Sequence, residues 1–147
     1  MTVRRLGAGS FWLLAGFVSP EPRDPWVRES EDFLTIVAPT QMGDASGSTI
    51  VQVSDAEGEL IAAAVYRPHQ RLYATHLQCF VVAPGLRGRG FAQRSFEELL
   101  EWLRTQDDLP DFVTWAVREE NAPMLRVSSH LGEGTPSASG LIHFHHP

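Results

Sequence analysis

Apolar residues change their spacing along this chain, and each change marks an element. From Ala92 they recur at Ala92, Phe96, Leu99 and Leu103, the spacing of one helical face, while Arg94, Glu97, Glu98, Glu101 and Arg104 fall on the other side. That predicts an amphipathic helix, stopped at Asp107-Asp108-Leu109-Pro110 because proline cannot extend the helical ladder. Upstream the period shortens. Thr49 to Val53 is β-branched and partly alternating, Leu60 to Tyr66 is a second apolar run, and the polar Ser54 to Glu59 between them predicts a hairpin. After a turn at Arg67-Pro68-His69-Gln70-Arg71, Leu72 to Val82 is long enough for a major strand, which Gly85, Gly88 and Gly90 end. Phe112 to Val117 is almost continuously apolar, as expected of a strand covered on both faces.

The two ends are less regular. Thr2 to Leu6 reads as a short first strand, and Ser10 is placed to cap a helix running through Val18. Asp24 before Pro25 predicts a helix over about 25–37, with Trp26, Phe33, Leu34 and Val37 near one face, and the polar Thr40 to Ser48 reads as a loop. Asn121 caps a short helix that tolerates Pro123 in its first turn, Gly132 supplies a left-handed closing residue, and Ser137 to His146 forms a last strand. Strands, helix, strand, helix and strand in this order indicate a mixed α/β fold with antiparallel hairpins and a βαβ unit, in a single domain over residues 1–147.

Composition narrows the chemistry. The formal net charge of -6, with a pI near 5.4 and no basic run outside residues 87–94, argues against a nucleic-acid partner. A small anion needs only local positive charge and stays open. Cys79 is the one cysteine, so no internal disulfide or cysteine zinc cluster forms, which fits a reducing, cytoplasmic setting. The apolar run Phe11 to Val18 after Arg4 and Arg5 imitates a signal peptide. No small-residue cleavage site follows it and it is too short to span a bilayer, so a retained, packed segment and no membrane association are expected. His143, His145 and His146 alternate without a partnering carboxylate, and no metal is assigned to them. Asp24, Glu29, Glu31 and Asp32 read either as a solvated acidic helix face or as a receptor for a cationic amine.

Phe80 to Ala92 carries the most specific signal, a strand running through glycines straight into a helix. A helix start leaves backbone N–H groups unpaired and carries positive partial charge, and glycines let an anion approach them. Gly85 and Gly90 have nucleotide P-loop spacing, but Phe91 and Ala92 stand where Lys and Ser or Thr are needed. Gly88-Arg89-Gly90 opens like a dinucleotide fingerprint, but Gln93 takes the third glycine position. What remains is Arg87-Gly88-Arg89-Gly90-Phe91-Ala92 after Val82-Ala83-Pro84, with Asn121 to Gly132 downstream as an asparagine-capped helix ending in Leu-Gly.

Those motifs resemble the GNAT acyltransferase superfamily, over about Thr49 to Gly132. The resemblance implies a GNAT-like fold, a mixed and mostly antiparallel sheet of six to seven strands flanked by about four helices. It also implies acetyl-CoA as donor, with Phe80, Val81 and Val82 along pantetheine and the turn Arg87, Gly88, Arg89, Gly90, Phe91 and Ala92 on the pyrophosphate. Arg87 or Arg89 would add charge, and Asn121 would be a further coenzyme-binding residue. The acceptor would be an amine that the sequence does not identify, and a homodimer is compatible. Strand alternation places His76 with Gln78, Phe80 and Val82, and His76 matches the position of the glutamate base in histone-type members, which makes it the candidate base. The backbone N–H of Val82 is the simplest oxyanion donor. Where many relatives carry a tyrosine acid seven residues after the asparagine, this chain has Ser128, the candidate acid through water, with Ser129 or His130 beside it. The absent tyrosine keeps a second reading open, a non-catalytic acyl-CoA-binding module with the same fold.

Overall fold

The computed structural model describes residues 1–20, 24–41 and 47–146, with the backbone alone for residues 8–12. Its strands are β1 (Thr2–Arg5), β2 (Thr49–Ser54), β3 (Leu60–Pro68), β4 (Thr75–Val82), β5 (Val113–Arg118), β6 (Glu133–Pro136) and β7 (Leu141–His146). They form one sheet in the order β1-β2-β3-β4-β5-β7-β6. All neighbours run antiparallel except β4 and β5. A parallel pair needs a long crossover, and here it is α3 (Phe91–Thr105), the helix its period predicted.

Each face of the sheet has its own cover. On one, Phe96, Leu99, Leu100 and Leu103 of α3 and Val127 of α4 (Ala122–Leu131) bury Val51, Tyr66, Leu77, Trp115 and Phe144. The rings of Phe80 and Phe96 lie edge to face at 4.9 Å, and those of Phe96 and Trp115 at 5.1 Å, a geometry worth about 0.5–1.5 kcal/mol beyond the area buried. On the other face, Leu14 and Phe17 of the 3₁₀ segment Ala8–Phe17, with Leu34 and Ala38, cover Ile50, Ala63, Val65 and Val81. Ala38 opens the short α2 (Ala38–Gln41), and α1 (Pro25–Asp32) runs into it through a π-helical turn, Phe33–Val37. No helix among the described residues is long and apolar enough to cross a membrane.

The structure corrects several boundaries. The segment expected as a helix from Ser10 is 3₁₀ and is preceded by Gly7 as its cap residue. The predicted helix over 25–37 continues to Gln41, so the expected loop from Thr40 is shortened, and residues 42–46 lie outside the described residues. β4 begins at Thr75 rather than Leu72, while Arg67 and Pro68 belong to β3. The tail is a hairpin of two strands. Gly132 is extended, at φ -160° and ψ 178°, not left-handed. A Cβ there would lie 2.5 Å from the His145 carbonyl oxygen and 2.9 Å from the Trp115 ring, so close packing, not backbone conformation, requires glycine.

Candidate active site

β4 and β5 pair only at Thr75–Val113, His76–Thr114 and Leu77–Trp115, and then part. The fork opens where β4 carries an extra residue: Val65 pairs with Cys79 and Tyr66 with Leu77, which leaves Gln78 bulged between them. Gln78 Oε1 accepts a hydrogen bond from Ser48 Oγ at 2.9 Å. A bulge shifts the side-chain alternation by one position. Leu77 and Phe80 therefore both meet the α3 core, whereas Cys79 and Val81 meet the opposite face.

Past the bulge, β4 presents an open backbone edge. Ala83 N–H donates to Ile61 O at 2.8 Å, toward β3. Alternation then turns the N–H and C=O groups of Val82 and Phe80 the other way, into the fork. The chain continues through a 3₁₀ turn, Pro84–Leu86, to Gly88 (φ 74°) and Gly90 (φ 82°), the residue that precedes α3. Left-handed backbone favours glycine, and a Cβ at either position would meet nothing within 4 Å. The first turn of α3 is thus approachable by a ligand, as an anion site at a helix start requires.

A cleft of about 710 Å³ runs along this edge, between β4, the glycine turn, α1 and α4. Of the residues the sequence pointed to, Phe80, Val81, Val82, Arg87, Gly88, Gly90, Ala92 and Asn121 line it. Arg89 and Phe91 do not: the Arg89 guanidinium lies 5.9 Å from the Phe91 ring centre on the exposed side of the turn. Arg87 lines the cleft, but its guanidinium turns inward, with Nε donating to Val82 O at 3.0 Å and Nη2 to Glu31 Oε2 at 2.9 Å. Asn121 Oδ1 caps α4 by accepting from Met124 N–H at 3.3 Å. Gln93, Arg126 and His130 also line the cleft. Gln93 and Arg126 carry no sequence motif that marks them; Arg126 and His130, four residues apart, fall on one helical face, and Arg126 brings a guanidinium to the cleft from α4 rather than from the glycine turn.

At the head of the fork a second cavity of about 240 Å³ joins the first through Trp26, Ser30, Phe80, Asn121 and Met124. Its floor is apolar, formed by Leu77, Phe96, Trp115 and Val117, and its rim carries Glu29 and Arg118. Arg118 grips Glu29 with Nε at 3.0 Å and Nη2 at 2.9 Å from the two carboxylate oxygens. Cys79 is in the wall, its thiol pushed by burial up to about 12, so no thiolate nucleophile forms there near neutrality.

Neither candidate catalytic side chain reaches this place. His76 precedes the bulge, so its side chain lies on the sheet face opposite Phe80 and Val82, where Nδ1 is 2.8 Å from Thr114 Oγ1 and the ring meets His69 at 5.6 Å. Burial first, then the charges of His69, Arg67 and His143, push its pKa down to about 4. Strict alternation fails here because it cannot register an inserted residue. Ser128 is wholly buried, its Oγ accepting from Trp115 Nε1 at 2.8 Å between α4 and β5. It lines none of the clefts described above.

The family model described as "Acetyltransferase (GNAT) family" matches residues 12–132 of this chain. No protein of curated function matches it in sequence. Among solved structures, a chimera of the spermidine N-acetyltransferase SpeG from Vibrio cholerae and hSSAT is similar at 18% identity and a TM-score of 0.67, over 99% of this chain and 93% of that one. A point mutant of the Vibrio cholerae enzyme gives the same identity and TM-score over 99% and 94%. Its complex with manganese ions gives 18% and 0.62 over 98% and 90%. At these identities the likeness establishes the fold.

Proposed function

This chain belongs to the GNAT acetyltransferase family, and on that premise we propose that it transfers an acetyl group from acetyl-CoA to an amine by direct attack. The carrying observation is the continuity of one 710 Å³ cleft, whose wall passes from the open backbone of Phe80 and Val82 to Gly88 and Gly90 at the start of α3. Such a wall fits an extended amide-bearing arm that ends in phosphates, because strand edge and helix start each offer unpaired N–H groups. Bound there, the donor supplies an activated acyl thioester.

The chain's own groups cover the remaining tasks. Phe80 N–H faces the fork two residues deeper than Val82 and lines both cavities, so it is placed to receive charge developing on the acyl oxygen, with Val82 N–H left for the arm. Glu29, on the rim, receives the cationic amine and accepts its proton through water, while Arg118 fixes the carboxylate. His76 has no part in this, being on the far face. A thiol with an ordinary pKa near 8.5 leaves as thiolate near neutrality, so the burial of Ser128 does not prevent reaction. The lone Cys79 fits a cytoplasmic setting, and an aliphatic polyamine joins the candidate acceptors because the similar structures are named spermidine N-acetyltransferases.

The second reading is a module that binds acyl-CoA without turnover, and the burial of Ser128 away from the fork favours it. One assay separates the two. Acetyl-CoA is titrated, and free thiol is followed across a panel of polyamines, other amines, peptides and aminoglycosides. Amine-dependent thiol release supports the transferase; tight binding with no release across the panel supports the module.

A further inference from the structure

Glu31 has no place in the chemistry above, yet its side chain is only 1% exposed. An ionised carboxylate is retained in such a position only where hydrogen bonds replace its water. Glu31 Oε1 accepts from Ser19 N–H at 3.0 Å, and Oε2 accepts from Ser19 Oγ and, at 2.9 Å, from Arg87 Nη2. Arg87 Nη1 donates to the same Ser19 Oγ, and its Nε donates to Val82 O. One planar guanidinium thus joins the chain after the 3₁₀ segment, the buried carboxylate of α1 and the carbonyl of the last β4 residue.

We propose that Arg87 is not a phosphate ligand but a staple, and that Glu31 is a positioning residue acting through it to fix the open β4 edge and hold the acceptor-side helices against the donor cleft. The inference rests on the coenzyme reading of that cleft. Burial alone would keep Glu31 protonated, but the bonds from Ser19 and Arg87 outweigh it and hold the carboxyl below its ordinary value. The guanidinium is therefore engaged by a carboxylate, a hydroxyl and a carbonyl, and Arg126 and His130 across the cleft remain to meet phosphates. Lysine cannot replace it, because an ammonium does not present a flat fork to acceptors on three segments.

The test uses Arg87→Lys and, for the second end of the staple, Glu31→Gln. Coenzyme A affinity is measured by titration at low and high salt, and kcat/KM is compared for acetyl-CoA and for acetylpantetheine, which lacks the phosphates. A staple predicts a loss of about tenfold or more on both donors alike, with the salt dependence of coenzyme affinity unchanged. Glu31→Gln should give the same pattern, and the double variant should fall no further than the worse single one. Loss confined to acetyl-CoA, or a flattened salt dependence, overturns the staple and makes Arg87 a phosphate ligand. Full retention by folded Arg87→Lys also overturns it. If Arg87→Lys does not fold, Glu31→Gln is read by the same criteria. Unmodified protein that binds no coenzyme A contradicts the coenzyme reading itself, and the staple falls with it; unmodified protein that binds while a variant loses selectively contradicts the staple alone.

Discussion

The proposed donor and acceptor sides of the fork are built in opposite ways. The donor side comes from one unbroken stretch, Phe80 to Ala92, and works mainly through backbone: an open strand edge, two left-handed glycines and the start of α3. The acceptor side gathers side chains from distant places, Trp26 and Glu29 from α1, Gln78 from the bulge, Arg118 from β5 and Leu141 from β7. A backbone site is specified by a local motif and tolerates side-chain change around it. A side-chain site depends on tertiary assembly, and single substitutions retune it.

The largest expected effect breaks the donor side alone. Gly90→Trp puts an indole into a cleft where a Cβ now meets nothing, so coenzyme binding is lost in titration calorimetry. The positive φ adds strain of about 1–2 kcal/mol, visible as a modest drop in Tm. A folded variant with unchanged affinity would move the phosphate site elsewhere. Next, Ser128→Ala should destabilise by about 1–3 kcal/mol in urea unfolding, because the buried Trp115 N–H loses its acceptor. Turnover should persist, and its loss in a folded variant would return Ser128 to the chemistry.

Smaller changes sharpen the acceptor side. Glu29→Ala should raise the amine KM and lower kcat, for a loss of about tenfold or more in kcat/KM, and leave coenzyme affinity alone. An exposed ion pair contributes about 0–1 kcal/mol, so stability should hardly move. An unchanged kcat/KM for the amine would take Glu29 out of the site. At neutral pH the smallest effect belongs to His76. Burial holds its native pKa at about 4, below the ordinary histidine value of 6.5, so the unfolded chain binds this proton first as pH falls. The neutral form contributes stability that is present above pH 6.5 and is lost progressively as pH falls toward 4. His76→Gln should flatten that slope and keep the pH–rate profile near neutrality, and loss of a titration step from the profile would restore His76 as a base.

This division explains what the sequence could tell. The α3 period, the β2–β3 hairpin and the glycine turn are local patterns, and each appears where its residues predict. The bulge at Gln78 is not local, since nothing in His76 to Val82 breaks the alternation; it arises from the pairing of β4 with β3, and missing it put His76 on the wrong face. Arg87 was recognisable as a motif residue, but its partners Ser19 and Glu31 lie 68 and 56 positions away. Gly132 was rightly singled out, for a conformational reason where a packing reason applies. Ser128 was read from its spacing to Asn121, which fixes position along a helix but not what the side chain meets across it.

The division itself is tested most directly by mapping backbone amides in solution while coenzyme A and then the amine that supports thiol release are added. Coenzyme A should shift Phe80, Val82, Gly88, Gly90 and Ala92 first, and the amine should then shift Glu29, Gln78 and Arg118, with His76 and Thr114 quiet throughout. Coenzyme shifts centred on His76 and Thr114, or none at Gly88 and Gly90, would contradict the placement of the donor on the open edge of β4.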